Sequence, residues 1–281
     1  MILMTMNSSH EAVSLYRFLY SRFANTIGIK RQHEEIELRF TEGLSEHLKS
    51  ELIDSMTQYM IDFYEERWIL HMIQESFYFT DESDQHDILD IVKAIFDGEK
   101  SELPKVDRLP SRQQIMRKVI EEVLVDHSSF SFKSLETFRL NDYFECLMET
   151  IELAIDEFKL QQEYAVFVDK LRKIVKTYKP LHHTVYAVDN DKAGYLLYDS
   201  NYQVVEAPPT VRSFYPLLKQ WGVETQPSLL LTLIGLAPVT INVFTNREDH
   251  GMMHTLRKVF EESVHFYSLK EAEKLGLLFT G

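Results

Sequence analysis

Hydrophobic residues recur at steps of three and four positions along residues 134–179, from Phe144 through Ile151 to Val175. This spacing is typical of an amphipathic helix, because residues three and four apart share one helical face. The polar positions are acidic early in the stretch and basic late, the order that a helix macrodipole favours. The pattern predicts one long helix, or two helices that join near Gln161 and Gln162.

The residues before this stretch predict a strand, a helix, a second strand and then several helices. The apolar start MILMTM predicts the first strand, helical spacing in 11–24 predicts the first helix with Ser8 or Ser9 as N-cap, and alternation in 33–40 predicts the second strand. Helical spacing continues in 44–79 with one break, and 86–96 predicts a short amphipathic helix. Pro104 and Pro110 bound a polar run that is the best linker candidate in this half. Ser111 precedes another helical pattern as a candidate N-cap.

The pattern changes after Pro180, where β-rich runs predict a small antiparallel hairpin or meander. Residues 211–221 weakly predict a helix. Residues 225–246 lack charge and are long enough to suggest a membrane span, but Pro227 and Pro238 divide them, and VTINVF then alternates like a strand. We therefore expect a helix followed by a buried strand, and then a helix, a strand and a terminal helix up to the end of the chain.

These elements together predict a mainly helical α+β protein. Its 281 residues exceed the usual size of one domain. We expect an acidic N-terminal domain of mixed helices and strands at 1–108, a central helical region at 109–180, and a small C-terminal α/β domain at 181–281.

Composition and charge narrow the class of protein. The hydrophobic content of 44% excludes a disordered chain. Residues 42–102 hold 16 acidic and 4 basic side chains, so most of the net charge of −14 belongs to this region. That surface disfavours nucleic-acid binding by the N-terminal half, and it indicates either a solvated helix face or a basic protein partner. Cys146 is the single cysteine, which fits a reducing, cytoplasmic compartment, and MILMTM lacks the features of a signal peptide.

The sequence contains no dinucleotide, phosphate-loop, nucleophile-elbow or paired-cysteine fingerprint, which lowers the expectation of enzymatic activity. His250 and His254 have the four-residue spacing of zinc ligands on one helix face, and they are weak metal candidates. Gly251 stands where a zinc protease would have Glu, so capping or surface histidines are the competing interpretation. No cofactor is predicted.

The run DNDKAG at 189–194 has acidic residues at the first and third positions of a calcium loop and Gly at the sixth. Ala193 and Ser200 stand where further ligands are needed, so a hairpin turn is the preferred interpretation. His182 and His183 precede a strand and are read as linker residues. Under the enzymatic alternative, His183, Asp189 and Asp199 would supply a site at strand ends.

Arg139 is the charged residue of greatest interest, because it lies between Phe138 and Leu140 at the start of the long helical stretch. One interpretation is a structural pair with Asp142, partly buried and hydrogen-bonded. The other is an arginine that binds an anion or contacts a partner. Arg139, Asp142 and Tyr143 are therefore predicted structural or contact residues.

Three segments carry a family resemblance: FRLNDY at 138–143, the EF…EYAVFV run at 157–168, and LIGLAPVTINVF at 233–244. Together they resemble the YtxC-like sporulation protein family of spore-forming Firmicutes. The family has no established biochemical activity. The resemblance implies a cytoplasmic protein associated with sporulation.

Two functions remain in competition at this point. The first is a non-enzymatic protein that contacts unknown protein partners through its acidic N-terminal helices or its long helical stretch, without membrane insertion. The alternative is a metal-dependent hydrolase or a nucleic-acid-processing enzyme with its site in the C-terminal domain. A third interpretation, an acidic mimic that occupies a basic nucleic-acid site, requires partner binding that weakens strongly with salt.

Overall fold

A computed structural model describes residues 1–40, 45–126, 129–177, 179–190, 194–205 and 228–277. The chain forms two compact units, Met1–Leu160 and Gln161–Gly281. The polar run between Pro104 and Pro110 lies inside the first unit. The division of the chain at 108 and 180 stays a prediction.

The first unit combines a four-stranded sheet with seven helical elements in its described residues. Its strands are β1 (Ile2–Thr5), β2 (Gly28–Gln32), β3 (Glu35–Arg39) and β4 (Ser129–Ser131), and its helices are α1 (Ser9–Phe23), α2 (Glu46–Met60), α3 (Glu66–Glu75), α4 (Glu82–Phe96), α5 (Arg112–Asp126), α6 (Phe132–Phe138) and the N-terminal part of α7 (Asn141–Thr177). A π-helical turn, Ile61–Glu65, joins α2 to α3, and a short 3-10 turn, Val106–Arg108, precedes α5.

The sheet of the first unit has the strand order β2-β3-β1-β4. β1 pairs antiparallel with β3 and parallel with β4, with Met4 opposite both Ile36 and Phe130. Met4, Ile36 and Leu38 are fully buried in the core beneath the helices. β4 is therefore an edge strand.

Local sequence explains several boundaries of these elements. The Ser8 hydroxyl accepts a hydrogen bond from the Glu11 N–H at 3.2 Å, so Ser8 is the N-cap of α1, one of the two residues predicted. The strand β2, which begins at Gly28 shortly after α1, was not predicted by the pattern. The sequence predicted a helix with one break in 44–79. Residues 46–75 are helical throughout, and the π-helical turn between α2 and α3 is the irregularity within them.

The long helical stretch is one helix from Asn141 to Thr177, which settles the choice left open at Gln161 and Gln162. Its start differs from the prediction, because a break at Arg139 and Leu140 separates α6 from α7. The Arg139 N–H closes α6 by donating to the Leu135 carbonyl at 3.0 Å, and the Leu140 carbonyl accepts from the Phe144 N–H at 2.8 Å to open α7. Apolar periodicity continues across the break and concealed it.

The second unit is built around a second four-stranded sheet. Its elements after α7 are β5 (Thr184–Asn190), β6 (Gly194–Tyr198), α8 (Leu229–Leu236), β7 (Thr240–Phe244), α9 (Gly251–Phe260), a 3-10 turn at Glu261–Ser263, β8 (Val264–Tyr267) and α10 (Leu269–Lys274). The strand order is β6-β5-β7-β8, with β6 antiparallel to β5 and the other pairs parallel. The predicted hairpin of β5 and β6 and the helix-then-strand reading of residues 225–246 are confirmed where the structure describes them.

Two sequence predictions fall outside the described residues: the helix at 211–221 and the turn residues 191–193. Within the described ranges, no helix has both the length and the apolar character needed to cross a membrane. The mainly helical α+β class is confirmed, with two small mixed sheets and a long central helix.

Candidate interaction site at a sheet edge

A cavity of about 320 Å³ lies beside β4 in the first unit. Its lining comprises Val123 of α5, all three residues of β4, Ser134, Leu135 and Phe138 of α6, and Arg139. We call this cavity and its lining the edge site. It brings together a strand edge, apolar walls and one guanidinium group.

Phe138 and Arg139 are the large exposed side chains of the edge site, and Ser129 and Ser134 in its lining are exposed as well. Phe138 is 71% exposed, although it is a large aromatic side chain at the end of a helix. Arg139 is also exposed. The predicted pair does not form, since no ion pair joins Arg139 to Asp142 in the described structure, and Asp142 is exposed as well.

Tyr143, the third residue predicted near this position, is fully buried and belongs to a different group. Its hydroxyl donates a hydrogen bond to Glu65, and Arg112 forms an ion pair with the other oxygen of the same carboxylate. We call these three residues the Glu65 cluster. The Arg112 guanidinium also lies 4.0 Å over the ring of Phe96, a cation–π contact.

The π-helical turn places Glu65 in the protein interior, where its side chain is 9% exposed. Burial raises the pKa of Tyr143, and the negative charge of Glu65 raises it further, so the phenol stays protonated as a donor. Both carboxylate oxygens of Glu65 are thus occupied by donors from other helices. This arrangement holds the π-helical turn, α5 and α7 together and leaves Glu65 poorly placed for acid–base chemistry.

The second unit contains a comparable polar group at the carboxyl end of β5. The buried carboxylate of Asp189 accepts hydrogen bonds from the Arg247 Nε at 3.0 Å, the Thr245 hydroxyl at 2.7 Å and the Tyr195 hydroxyl at 3.4 Å. We call these four residues the Asp189 cluster. Burial alone would raise the pKa of Asp189, but the hydrogen bonds from Arg247 and Thr245 outweigh burial and lower it.

The three residues proposed for an enzymatic site are not all brought to one end of the sheet. Asp189 lies at the carboxyl end of β5, whereas His183 precedes the other end of the same strand. Asp199 follows β6, which runs antiparallel to β5, so Asp199 lies at the His183 end. The Asp199 carboxylate accepts hydrogen bonds from the Asn201 and Gln203 N–H groups and closes a turn.

The two candidate metal ligands lie at the start of α9. His250 is the N-cap, and its Nδ1 accepts a hydrogen bond from the Met252 N–H at 3.3 Å. His254 is exposed one turn later. Within the described residues, no group of three or more His, Cys, Asp or Glu side chains is arranged to hold a metal ion. Metal binding by this pair stays a prediction that the geometry does not strengthen.

Sequence reasoning identified Arg139 but did not find the other parts of the edge site. β4 is only three residues long, and no strand was predicted in this part of the sequence. The partners in the two polar clusters were missed as well, since Tyr143 is 78 residues from Glu65 and Arg247 is 58 from Asp189. Side chains so distant in sequence leave no local pattern.

The fold and the edge site define a two-unit α+β protein whose described part presents an open sheet edge beside an apolar cavity. A sequence profile of the YtxC-like family matches residues 50–265, and the chain belongs to that family. It is 28% identical over 214 residues to "Uncharacterized protein YtxC" of Bacillus subtilis (strain 168), covering 76% of this chain and 75% of that protein. No solved structure matches the chain.

Proposed function

We propose that this chain is a non-enzymatic, cytoplasmic protein associated with sporulation that acts by contacting another protein through the edge site. The observation that carries the proposal is the 71% exposure of Phe138 beside a cavity and a strand edge that has no further partner strand among the described residues. Burying a phenylalanine side chain is worth about 1.5–3 kcal/mol, which a partner at this position would gain.

The composition of the edge site supports a protein partner. Aromatic residues and arginine are enriched where protein interfaces bury their energetically dominant contacts. Phe138 and Arg139 are adjacent in the sequence and both are exposed. By contrast, the carboxylates of Glu65 and Asp189 already accept hydrogen bonds from side chains of their own units.

The association with sporulation rests on the resemblance carried by FRLNDY and the two later segments. The cytoplasmic location rests on the single cysteine, which is buried and unpaired and therefore suits a reducing compartment. The partner that binds the first unit is a protein rather than a nucleic acid. That unit has 31 acidic and 17 basic side chains, and this negative charge repels phosphate groups.

The test is affinity capture with the tagged full-length chain from sporulating and vegetative cells of a spore-forming Firmicute. We expect the wild-type chain to enrich a specific protein from sporulating cells, and purified partner to bind it in a saturable titration. Phe138→Ser should lose the partner, while Phe63→Ser, which alters an aromatic side chain 54% exposed elsewhere in the unit, should retain it. Capture of no specific protein from either lysate would contradict the proposal.

A further inference from the structure

The edge of β4 lacks a strand partner on its outer side in the described part of the chain. The sheet order ends at β4, whose other side pairs with β1. An edge strand presents alternate N–H and C=O groups that a further strand can pair with. Proteins recognise extended peptides in this way, with backbone hydrogen bonds for affinity and side-chain pockets for specificity.

The cavity lies along this same edge. Successive residues of a strand point to opposite faces of the sheet, yet Ser129, Phe130 and Ser131 all line the cavity. A cavity touched from both faces of β4 runs beside the strand. No residue of β1 lines it, so it lies on the outer, unpaired side.

Apolar side chains form the walls of the cavity. Val123, Phe130, Leu135 and Phe138 contribute them, and the volume of about 320 Å³ is at the lower end of the range of about 300–1,000 Å³ for small-molecule pockets. A space of this size beside a strand suits one or two aliphatic side chains of a peptide better than a whole small-molecule ligand.

Arg139 indicates the charge of the ligand that the edge site would bind. Its guanidinium is exposed at the lining of the cavity and makes no ion pair in the described structure. Arginine binds carboxylates with two parallel hydrogen bonds. The first unit carries a net charge of −14, which repels polyacidic partners, but salt limits that repulsion to about 8 Å. A segment with a single carboxylate can bind Arg139 and is too weakly charged to be repelled by the acidic unit.

The geometry points to strand addition at β4 by an extended peptide segment that places an aliphatic side chain in the cavity and a carboxylate on Arg139. This inference rests on the proposed function and specifies its partner. The occupant is a segment of another protein, because a second copy of this chain would bring two first units of charge −14 together.

Panning a phage-displayed library of random linear 12-residue peptides on the immobilised full-length chain tests the inference. We expect selected peptides to share an aliphatic residue near one acidic residue within a β-prone sequence. Synthetic copies should bind in a fluorescence-polarisation titration, and N-methylation of alternate backbone amides, which removes strand hydrogen bonds, should weaken binding at least about tenfold.

Variants of the edge site assign the contacts. Arg139→Glu and Phe138→Ala should each weaken peptide binding at least about tenfold, and Arg139→Lys should have a smaller effect because lysine cannot form the bidentate pair. Arg17→Glu makes the same change of charge at an exposed position on α1, and with Phe63→Ala it should leave binding unchanged.

Several outcomes would overturn the inference. They are selection of no peptides, basic consensus sequences, equal binding of N-methylated peptides, and equal binding by the Arg139→Glu chain. Concentration-dependent dimerisation that Phe138→Ala abolishes would instead assign the edge to a second copy. If affinity capture finds a partner sensitive to Phe138→Ser while panning fails, the proposed function stands and strand addition is wrong.

Discussion

At the scale of single residues, one buried carboxylate in each unit forms hydrogen bonds to side chains that are distant in the sequence. Glu65 and Asp189 accept hydrogen bonds from side chains brought together by folding, and each has an arginine partner. Breaking a buried pair costs more than the pair contributes, because the remaining charge is left without compensation. We therefore expect the donors to these carboxylates to matter more for stability than the exposed histidines of α9.

Replacing Tyr143 with Phe removes one buried donor to Glu65 and changes little else. We expect the free energy of unfolding to fall by about 1–3 kcal/mol, since a buried acceptor loses its partner. Urea denaturation followed by circular dichroism measures the change. Tyr78→Phe is the matched control, because Tyr78 is 82% exposed and its change should stay within about 0.5 kcal/mol. Equal effects of the two changes would show that the Glu65 contact is unimportant.

The Asp189 cluster predicts a pH dependence with a definite sign. The pKa of Asp189 is lowered in the folded protein, so the unfolded state binds more protons and stability rises with pH. The contribution is complete above the ordinary aspartate value of about 3.9 and is lost as the pH falls towards the lower folded value.

Asp189→Asn is accordingly expected to cost about 1.5–3 kcal/mol at pH 7, the range for hydrogen bonds to charged groups. The difference from wild type should shrink below about pH 4, measured as urea midpoints between pH 3 and pH 7. Glu273→Gln, at an exposed position of α10, controls for loss of a carboxylate. A difference that stays constant over this pH range would argue against the assigned role of Asp189.

At the scale of elements, the predictable features were those encoded locally. The apolar stripe of α7 and the Ser8 cap of α1 follow from spacing and from one hydroxyl. The break at Arg139, the pairing of β4 with β1 and the parallel pairing of β5 with β7 depend on contacts between distant residues. A three-residue edge strand can be recognised only after its neighbour is placed, so the edge site could not be predicted beyond Arg139.

The acidic face of α7 lowers the stability of this helix by an amount that can be measured. Its exposed carboxylates follow one another at steps of three and four, namely Asp142, Glu145, Glu149, Glu152 and Asp156. Like charges at these spacings destabilise a helix by about 0.2–0.5 kcal/mol for each pair.

Glu149→Lys should stabilise the first unit by about 0.8–2 kcal/mol, because it converts two repulsive pairs, with Glu145 and Glu152, into attractive ones, and each conversion is worth about 0.4–1 kcal/mol. The gain should diminish between 20 mM and 1 M NaCl as the charges are screened. Thermal unfolding at both salt concentrations measures it, and Glu149→Gln should give about half the effect. A destabilised Glu149→Lys chain would mean that the stripe is needed for folding.

At the scale of the whole molecule, the charge divides unevenly between the units. Met1–Leu160 holds 31 acidic and 17 basic side chains, and Gln161–Gly281 holds 13 of each. The main hydrophobic core of the first unit ends at Phe158, and the cores of the second begin at Val168. Each unit thus has its own core.

Separate cores lead us to expect separate effects of substitutions on local stability. In hydrogen-exchange mass spectrometry, Tyr143→Phe should reduce protection in residues 1–160, and Asp189→Asn should reduce it in the remainder. Loss of protection throughout the chain from either substitution would contradict this division into two units.

Cys146 is a natural probe for measuring the rate at which the first unit opens. The thiol is 2% exposed on α7, its Sγ lies 3.6 Å from the Pro110 carbonyl, and burial raises its pKa to about 11. Since the thiolate is the reactive form, alkylation of the folded chain at pH 7 should be slow and should report how often this helix leaves its neighbours. Because the sequence has no second cysteine, each labelled molecule has opened at this position, and the labelling rate reports opening around Cys146 alone.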